Sequence, residues 1–326
     1  MDLRKVQRTS SGTFFVCLPK EWAERNGLDR GSVVAISEAA DGRLVIDAEY
    51  GTESTPQVAV VEPTPHLDRE IIEKYLLGYD IIRVEAKERI GLSDRDRVKR
   101  TSSRLVGLEI VEEDQSRIVM QCLLEPSAFP PEKILRREYS IASGMHRDAV
   151  TALVEGDVHL GKNVVARDNE VNRLYFLLVR ILRTVIQNPG LSEKLEILPI
   201  DCLDYRLVAS LVESIGDQSV QVAEKAVKLG GTKIVGKLSQ LILDFHKVVY
   251  DSHESALRAM FSRDVSLAES VGAEREKIAG SHREIEKVAQ AQPVEVASQV
   301  LAAVSSIGRI FDHSVDIADL VMPRVA

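Results

Sequence analysis

Glu213 and Asp217 stand four residues apart in a stretch of helical periodicity, which sets both carboxylates on one face, one turn from each other. Like charges at that spacing cost about 0.2–0.5 kcal/mol unless a cation intervenes, so the pair is a candidate for half of a hard-metal site built from oxygen ligands. Asp168, with Asn172 four residues on and Glu170 between, could supply the other half from the preceding helix. Acids at this spacing are also common on plain solvated faces, so spacing alone leaves both readings open. A later segment repeats the pattern with Asp312 and Asp316 on one face and His313 beside them, but Gly308 stands four residues before Asp312. Arg275 falls opposite Asp168 in the same comparison, and a ligand position that has become a cation leaves this second site incomplete. His313 reads as readily as a surface or core histidine as a ligand. A second kind of chemistry is suggested near the N-terminus, where Arg4, Lys5, Arg8 and Lys20 face only Asp2 in a chain of net charge −8. Arg4 and Arg8 sit at even spacing on one strand face, suited to DNA phosphates in a symmetric dimer or to ordinary edge protection. No nucleophile elbow, zinc-protease helix, phosphate-binding glycine loop or dinucleotide fingerprint is present, so nothing points to an enzyme.

The elements that must position these residues differ along the chain. Of its 326 residues, 44% are hydrophobic and 28% charged, enough for sizeable cores in two or three domains. The low aromatic content, 5%, leans toward packed helices. Cys17, Cys122 and Cys202 lie far apart, which encodes neither a disulfide framework nor a cysteine zinc site and fits a reducing cytoplasm. No apolar run approaches the length of a membrane helix and no leader pattern follows Met1, so the expected location is cytoplasmic. Residues 1–50 read as strand, turn and strand up to Leu18, a short helix from Lys20 to Asn26 stopped by Gly27, and a hairpin of Val33–Ile36 and Leu44–Ile46 around Asp41-Gly42. A unit this small buries too little surface to stand alone, so it is expected to pair with a second copy.

Thr52 to Pro65 reads as a linker containing one strand, and the pattern to residue 131 alternates as a small α/β domain. Its second helix, near Ser93 to Val106, carries Arg95, Arg97, Lys99, Arg100 and Arg104, either a solvated face or a contact for phosphate or an acidic partner. Beyond Pro131 the spacing is helical throughout, with helices near 132–155, 157–187, 202–229, 233–262, 264–290 and 294–321. The six divide into three and three. His146-Arg147-Asp148-Ala149 through Leu160 overlays His253-Glu254-Ser255-Ala256 through Leu267 with a constant shift, and Ile215–Glu224 overlays Ile310–Asp319 without gaps. A duplicated three-helix unit follows, 132–230 and 231–326.

Two resemblances gather these residues. Arg4-Lys5-Val6-Gln7-Arg8 through Leu18-Pro19-Lys20-Glu21-Trp22, then Gly27-Leu28 and Gly31-Ser32-Val33-Val34, resembles the SpoVT/AbrB swapped-hairpin domain. That likeness implies an intertwined dimer that binds double-stranded DNA through Arg4, Lys5 and Arg8, with Lys20 and Arg25 beside them. Glu213-Ser214-Ile215-Gly216-Asp217-Gln218-Ser219, echoed by Arg309-Ile310-Phe311-Asp312-His313-Ser314, resembles the PhoU family of phosphate-uptake regulators, two tandem three-helix bundles. The resemblance implies metal at Glu213 and Asp217, partly at Asp168 with Asn172, and at Asp312 with Asp316 only in part, with Fe, Zn, Mg or Mn as candidates and no organic cofactor. The middle segment is similar only to the linking region of archaeal-type proteins that carry both ends, and no role is assigned to it. The fold expected is multidomain: a β-rich swapped-hairpin domain (1–50), an α/β domain (51–131) and all-α tandem three-helix bundles. The function expected is a cytoplasmic DNA-binding regulator of phosphate uptake, with the alternative of an adaptor acting on a phosphate transporter or sensor kinase without specific DNA binding.

Overall fold

Near the N-terminus β1 (Gln7–Arg8) pairs antiparallel with the aromatic β2 (Phe14–Phe15) across a turn held by Gly12. Helix α1 (Lys20–Arg25) follows Pro19 and is closed by Gly27 at φ 63°, the left-handed conformation a side chain would resist. A hairpin of β3 (Ala35–Glu38) and β4 (Leu44–Asp47) completes the unit. The computed structural model describes residues 3–38, 42–48 and 56–322; Asp41 of the expected turn lies outside them. Residues 1–56 form one compact unit and residues 57–326 a second. Among the described residues of the first unit none is buried, and Val6, Phe14, Val33, Ile36 and Leu44 are all more than 60% exposed.

The second unit begins with β5 (Val58–Val61), which belongs to a sheet where the sequence suggested a linker strand. Helix α2 (Leu67–Leu76), β6 (Ile81–Glu85), α3 (Leu92–Ser103), β7 (Leu108–Glu113) and β8 (Arg117–Cys122) follow. The sheet order is β5-β6-β8-β7, with β5 parallel to β6 and the other pairs antiparallel. Leu67, Ile71 and Tyr75 of α2 and Val98 of α3 pack on Val61, Ile82, Val84, Ile118 and Met120 to make a core of their own. The basic run on α3 is divided: Lys99, Arg100 and Arg104 are solvent-exposed, while Arg95 and Arg97 are struts. Arg97 bonds Asp68, Asp94 and the carbonyls of Thr64 and Pro65, while Arg95 bonds Glu113 and the carbonyls of Asp114 and Gln115.

A 3-10 turn at Pro126–Ala128 leads into the helices: α4 (Pro131–Glu155), α5 (Val158–Gln187), a short α6 (Pro189–Lys194), α7 (Asp201–Lys228), α8 (Lys237–Ser262), α9 (Val265–Ala273), α10 (Arg275–Ala289) and α11 (Val294–Asp319). Leu174, Leu177, Leu178, Ile181, Leu182 and Val185 of α5 are buried, as their three- and four-residue spacing requires. Helices α4, α5 and α7 pack as the first repeat; α8, α10 and α11 with α9 form the second. Two expectations change. Asn188 and Pro189 do more than break the chain: the Asn188 side chain caps α6 and Pro189 takes its first turn. The single helix expected at 264–290 is divided at Glu274, which ends α9 and precedes α10. By length and mean hydropathy (1.3) α11 would qualify to span a membrane, contrary to the sequence reading, yet Val300, Val304, Ile307, Ile310 and Phe311 are buried in its packing against α7 and α8. It is a core helix of the bundle.

The repeats copy each other down to their caps. Asp157 accepts a bond from the Leu160 amide at 2.9 Å and Asp264 from the Leu267 amide at 3.0 Å, each preceded by a left-handed residue, Gly156 (φ 70°) and Arg263 (φ 53°). The α/β part is fastened to the helices by Arg180 of α5. Its guanidinium, 4% exposed, donates to the carbonyls of Tyr75, Gly78 and Tyr79 at 2.6, 3.1 and 3.0 Å, at the end of α2 where the helix dipole favours a cation.

Gly156 allows a specific test. A Cβ there would lie 2.7 Å from the Gly231 carbonyl oxygen, and the positive φ adds strain. Gly156→Ala is expected to cost about 1–3 kcal/mol, measured by urea unfolding, and an unchanged midpoint would refute the tight crossing.

Candidate functional site

The acids of the first repeat meet where α4, α5 and α7 pack. Glu213 and Asp217 project from one face of α7 as their spacing dictates, and Asp168 comes from α5. Asn172 is held at that face by its own helix, its amide donating to the Asp168 carboxylate at 2.8 Å. Burial and then the Asp217 and Asp168 charges push the Glu213 carboxyl up to about 7. Burial and then Asp217 raise Asp168, and burial raises Asp217. A fourth acid joins them from α4: Glu138, fully buried, with both carboxylate oxygens unpartnered. Burial first, and the Glu213 charge second, hold its carboxyl well above the usual range. The charge of Arg206, which lies over the Tyr175 ring at 4.8 Å, works against the rise at both Glu138 and Glu213.

Glu138 is kept from water, Asp168 and Glu213 are half-buried and Asp217 is exposed; carboxyl groups gathered in this way repel one another and relieve that cost by holding protons or a cation. The orphaned oxygens of Glu138 and Asp168 fit the donor chemistry of a hard cation. The side chains do not converge into a finished cage: among the described residues no three His, Cys, Asp or Glu groups are arranged around one metal position.

The second repeat places different chemistry at the same positions. Phe245 stands for Glu138, Arg275 for Asp168, Ala279 for Asn172, Gly308 for Glu213 and Asp312 for Asp217. Asp312 lines a cleft with Arg275 and Arg309, and Asp316 faces His313 at 4.0 Å, so the acids expected here do not assemble a second acidic site. Burial lowers the pKa of His313, whose buried Nδ1 has no hydrogen-bond partner.

Between the repeats lies a chain of histidines. The His146 Nδ1 is 3.2 Å from the His253 Nε2, the His146 Nε2 is 3.1 Å from the His246 Nδ1, and the Tyr139 hydroxyl is 2.8 Å from the His253 Nδ1. His146 and His253 are the repeat-equivalent pair, both fully buried, so α4 and α8 cross at a pseudo-twofold point. With one N–H per ring, every bond of the chain is satisfied by neutral imidazoles. Burial lowers all three pKa values, His246 to about 4 and His253 to about 3. The groups facing them are Arg147, Tyr250, Asp251 and Glu254.

The N-terminal cations are all exposed. Arg8 lies 5.3 Å from the Phe14 ring centroid, Lys20 pairs with Glu24 at 3.6 Å and the Arg25 Nε donates to the Glu21 carbonyl at 3.3 Å. Arg4 and Lys5 precede β1.

Sequence reasoning missed Glu138 and the histidine chain. A carboxylate inside the apolar stripe Ile134, Leu135, Ala142 and Met145 was the available signal for the first. The His146–His253 equivalence was visible, but which way those rings point depends on how the repeats pack.

The PhoU domain family model matches residues 135–226 and 242–321, just over half of the chain. PhoU from Pseudomonas aeruginosa is 20% identical over 60% of this chain and 95% of its own, with a TM-score of 0.54. The phosphate transport system regulatory protein PhoU from Streptococcus pneumoniae is 16% identical over 58% of this chain and 89% of its own, with a TM-score of 0.49. No curated protein matches the sequence.

Two outcomes test this geometry. Glu138→Leu removes an unpartnered buried acid, so the metal-free variant is expected to be about 1–3 kcal/mol more stable than the parent at pH 7.5 in urea unfolding. The native state keeps a proton there that the unfolded chain releases above about 4.5, so the parent loses stability as pH rises and the gap between the two should widen. A variant less stable than its parent would refute the strained acid. The ring resonances of His146, His246 and His253 are expected to keep neutral-imidazole shifts down to about pH 5, and titration of any of them near 6.5 in NMR would break the neutral chain.

Proposed function

The chain belongs to the PhoU family, and from that premise we propose that it is an adaptor-type regulator of phosphate uptake, acting by protein contact through its two helical repeats. The observation that carries this reading is the family match over both repeats, the part of the chain that also holds the acidic site and the seam. Its partners on this reading are a phosphate transporter or its sensor kinase and a second copy of itself. The coreless N-terminal unit supports self-association, because its exposed Phe14, Val33, Ile36 and Leu44 need a cover that the described residues of that unit do not supply. No catalytic role is assigned to any residue.

The first repeat is read as a cation site held by Glu138, Asp168, Glu213 and Asp217, with Asn172 orienting Asp168. An all-oxygen donor set suits Mg, Mn or ferric iron better than Zn, which takes nitrogen and sulfur more readily. A bound cation would neutralise the acids and let these three helices close without repulsion. Asp312 and Asp316 are left outside this reading, since Arg275 and Arg309 line the cleft that Asp312 enters.

A DNA-binding reading keeps one supporting observation: the exposed cations Arg4, Lys5, Arg8, Lys20 and Arg25 gathered on a unit whose apolar residues ask for a dimer partner. Fluorescence anisotropy separates the two. Across a salt series, the full chain is expected to bind DNA upstream of its own gene, DNA upstream of a phosphate-transport operon and scrambled DNA equally and weakly. A tenfold or greater preference for the native DNA would overturn the adaptor reading, and Arg4→Ala with Arg8→Ala should then flatten the salt slope by about two.

A further inference from the structure

The second repeat has exchanged a cluster of acids for a cluster of arginines, and the fold has opened a cleft at that place. The cleft, about 570 Å³, runs between α10 and α11 over the ring of Phe245 from α8. Arg275, Arg283 and Arg309 line it with His282, and Asp312 is the one acid among its lining residues. None of these arginines descends from a cation in the first repeat: their counterparts are Asp168, Phe176 and Ser214. Gly308 takes the place of Glu213, and a Cβ built there meets nothing within 4 Å, so the loss of that side chain is part of what leaves the space.

Charge and pairing point the same way. Three guanidiniums against one carboxylate make the lining positive in a chain of net charge −8. Unlike Arg95, Arg97 and Arg180, none of the three is used as a strut: none makes an ion pair or hydrogen bond with the described residues. The neighbouring acids Glu274 and Glu284 are engaged by Lys277 at 2.9 Å and Lys237 at 2.8 Å. Three planar donors with free forks around a concave floor match the oxygens of a tetrahedral oxyanion better than a carboxylate-rich surface would. The volume lies within the range of small-molecule sites, about 300–1,000 Å³, and exceeds what a bare oxyanion fills. His282 is the half-buried ring at this place, set edge-to-face on the buried Phe245 at 6.3 Å.

We propose that this cleft is a binding site for the phosphoryl group of a small molecule, with Arg275, Arg283 and Arg309 holding the phosphoryl oxygens and the His282 ring beside the rest of the ligand. The two repeats then carry opposite sites on one scaffold, a cation site in the first and an anion site in the second. This inference stands apart from the adaptor reading, because it depends on the cleft alone.

Isothermal titration of the full chain tests it, at about 0.15 M salt and with chelator present so that the acidic site takes no metal. The titrants are inorganic phosphate, AMP and ATP, with a poly-glutamate peptide as a charge control. Saturable binding is expected, tighter for a nucleotide than for free phosphate, and weakened at least tenfold by Arg275→Ala with Arg309→Ala. Phosphate binding as tightly as the nucleotides, and equally sensitive to those substitutions, would support the phosphoryl site and assign the free anion as its source. Gly308→Glu returns the acid of the first repeat to an open position and is expected to abolish binding while leaving helicity and melting temperature unchanged. Absence of saturable binding, equal affinity in the parent and the arginine variant, or equal binding of poly-glutamate would each overturn the proposal.

Discussion

Each three-helix repeat carries an apolar stripe that three helices alone do not cover, and the structure rests on burying those stripes against one another. Helix α7 packs on α11 and α4 on α8, so one continuous core runs through both repeats. Burial of apolar area at about 25 cal/mol per Å² makes this the largest favourable contribution in the helical part. It also imposes a cost at the crossing of α4 and α8, where two histidines meet with no water between them. The chain meets that cost by extending the contact into a run of neutral donors and acceptors from Tyr139 to His246, the sort of fully satisfied polar path that fixes register where apolar packing alone would allow sliding.

With register fixed, the duplicated backbone offers the same addresses twice, and the side chains decide what each does. In the first repeat the buried Glu138 and the half-buried Asp168 and Glu213 gather beside the exposed Asp217 with little compensation. That arrangement is poor for stability and is retained at the junction of all three helices, which makes it a poised site rather than a packing solution. In the second, the buried acid has become Phe245, a sound core residue, and the acidic pair has lost a member to Gly308. The second repeat therefore recovers packing where the first keeps strain. The segment in which Arg275 replaces Asp168 is also the one that breaks: α9 ends at Ala273 and α10 starts at Arg275, while α5 runs through the matching position unbroken.

Much of this was legible before any coordinates. Helix α3 of the α/β part falls within a few residues of its sequence-based bounds, and the alternation read there is present, because period-2 and period-3.6 patterns are uncontested and Gly78 and Gly107 mark the stops. The duplication was legible because caps and signature residues repeat at fixed shifts. What stayed hidden depended on tertiary contact. Arg95 and Arg97 look like a basic face until Asp68, Glu113 and the loop carbonyls fold against them. Glu138 is an acid on the apolar stripe of α4, but only tertiary packing shows that its oxygens are buried and unpartnered. The break at Glu274 carries no proline or capping glycine, so no local rule announces it.

The two repeats being one packed body constrains how a signal could pass between their sites. Neither a cation among the acids nor an anion among the arginines alters the chain unless it binds two arrangements with different affinity. If the proposed cation binds the acidic site, it would favour whichever arrangement brings the carboxyls closest, because their mutual repulsion is then relieved most. Helix α7 is the element through which the effect would travel: it bears Glu213 and Asp217 on one side and packs against α11, which bears Gly308, Arg309 and Asp312, on the other. On the proposed reading, a shift of α7 toward a cation would be felt by α11, which packs on it, and by reciprocity an anion in the cleft would alter cation affinity by the same factor.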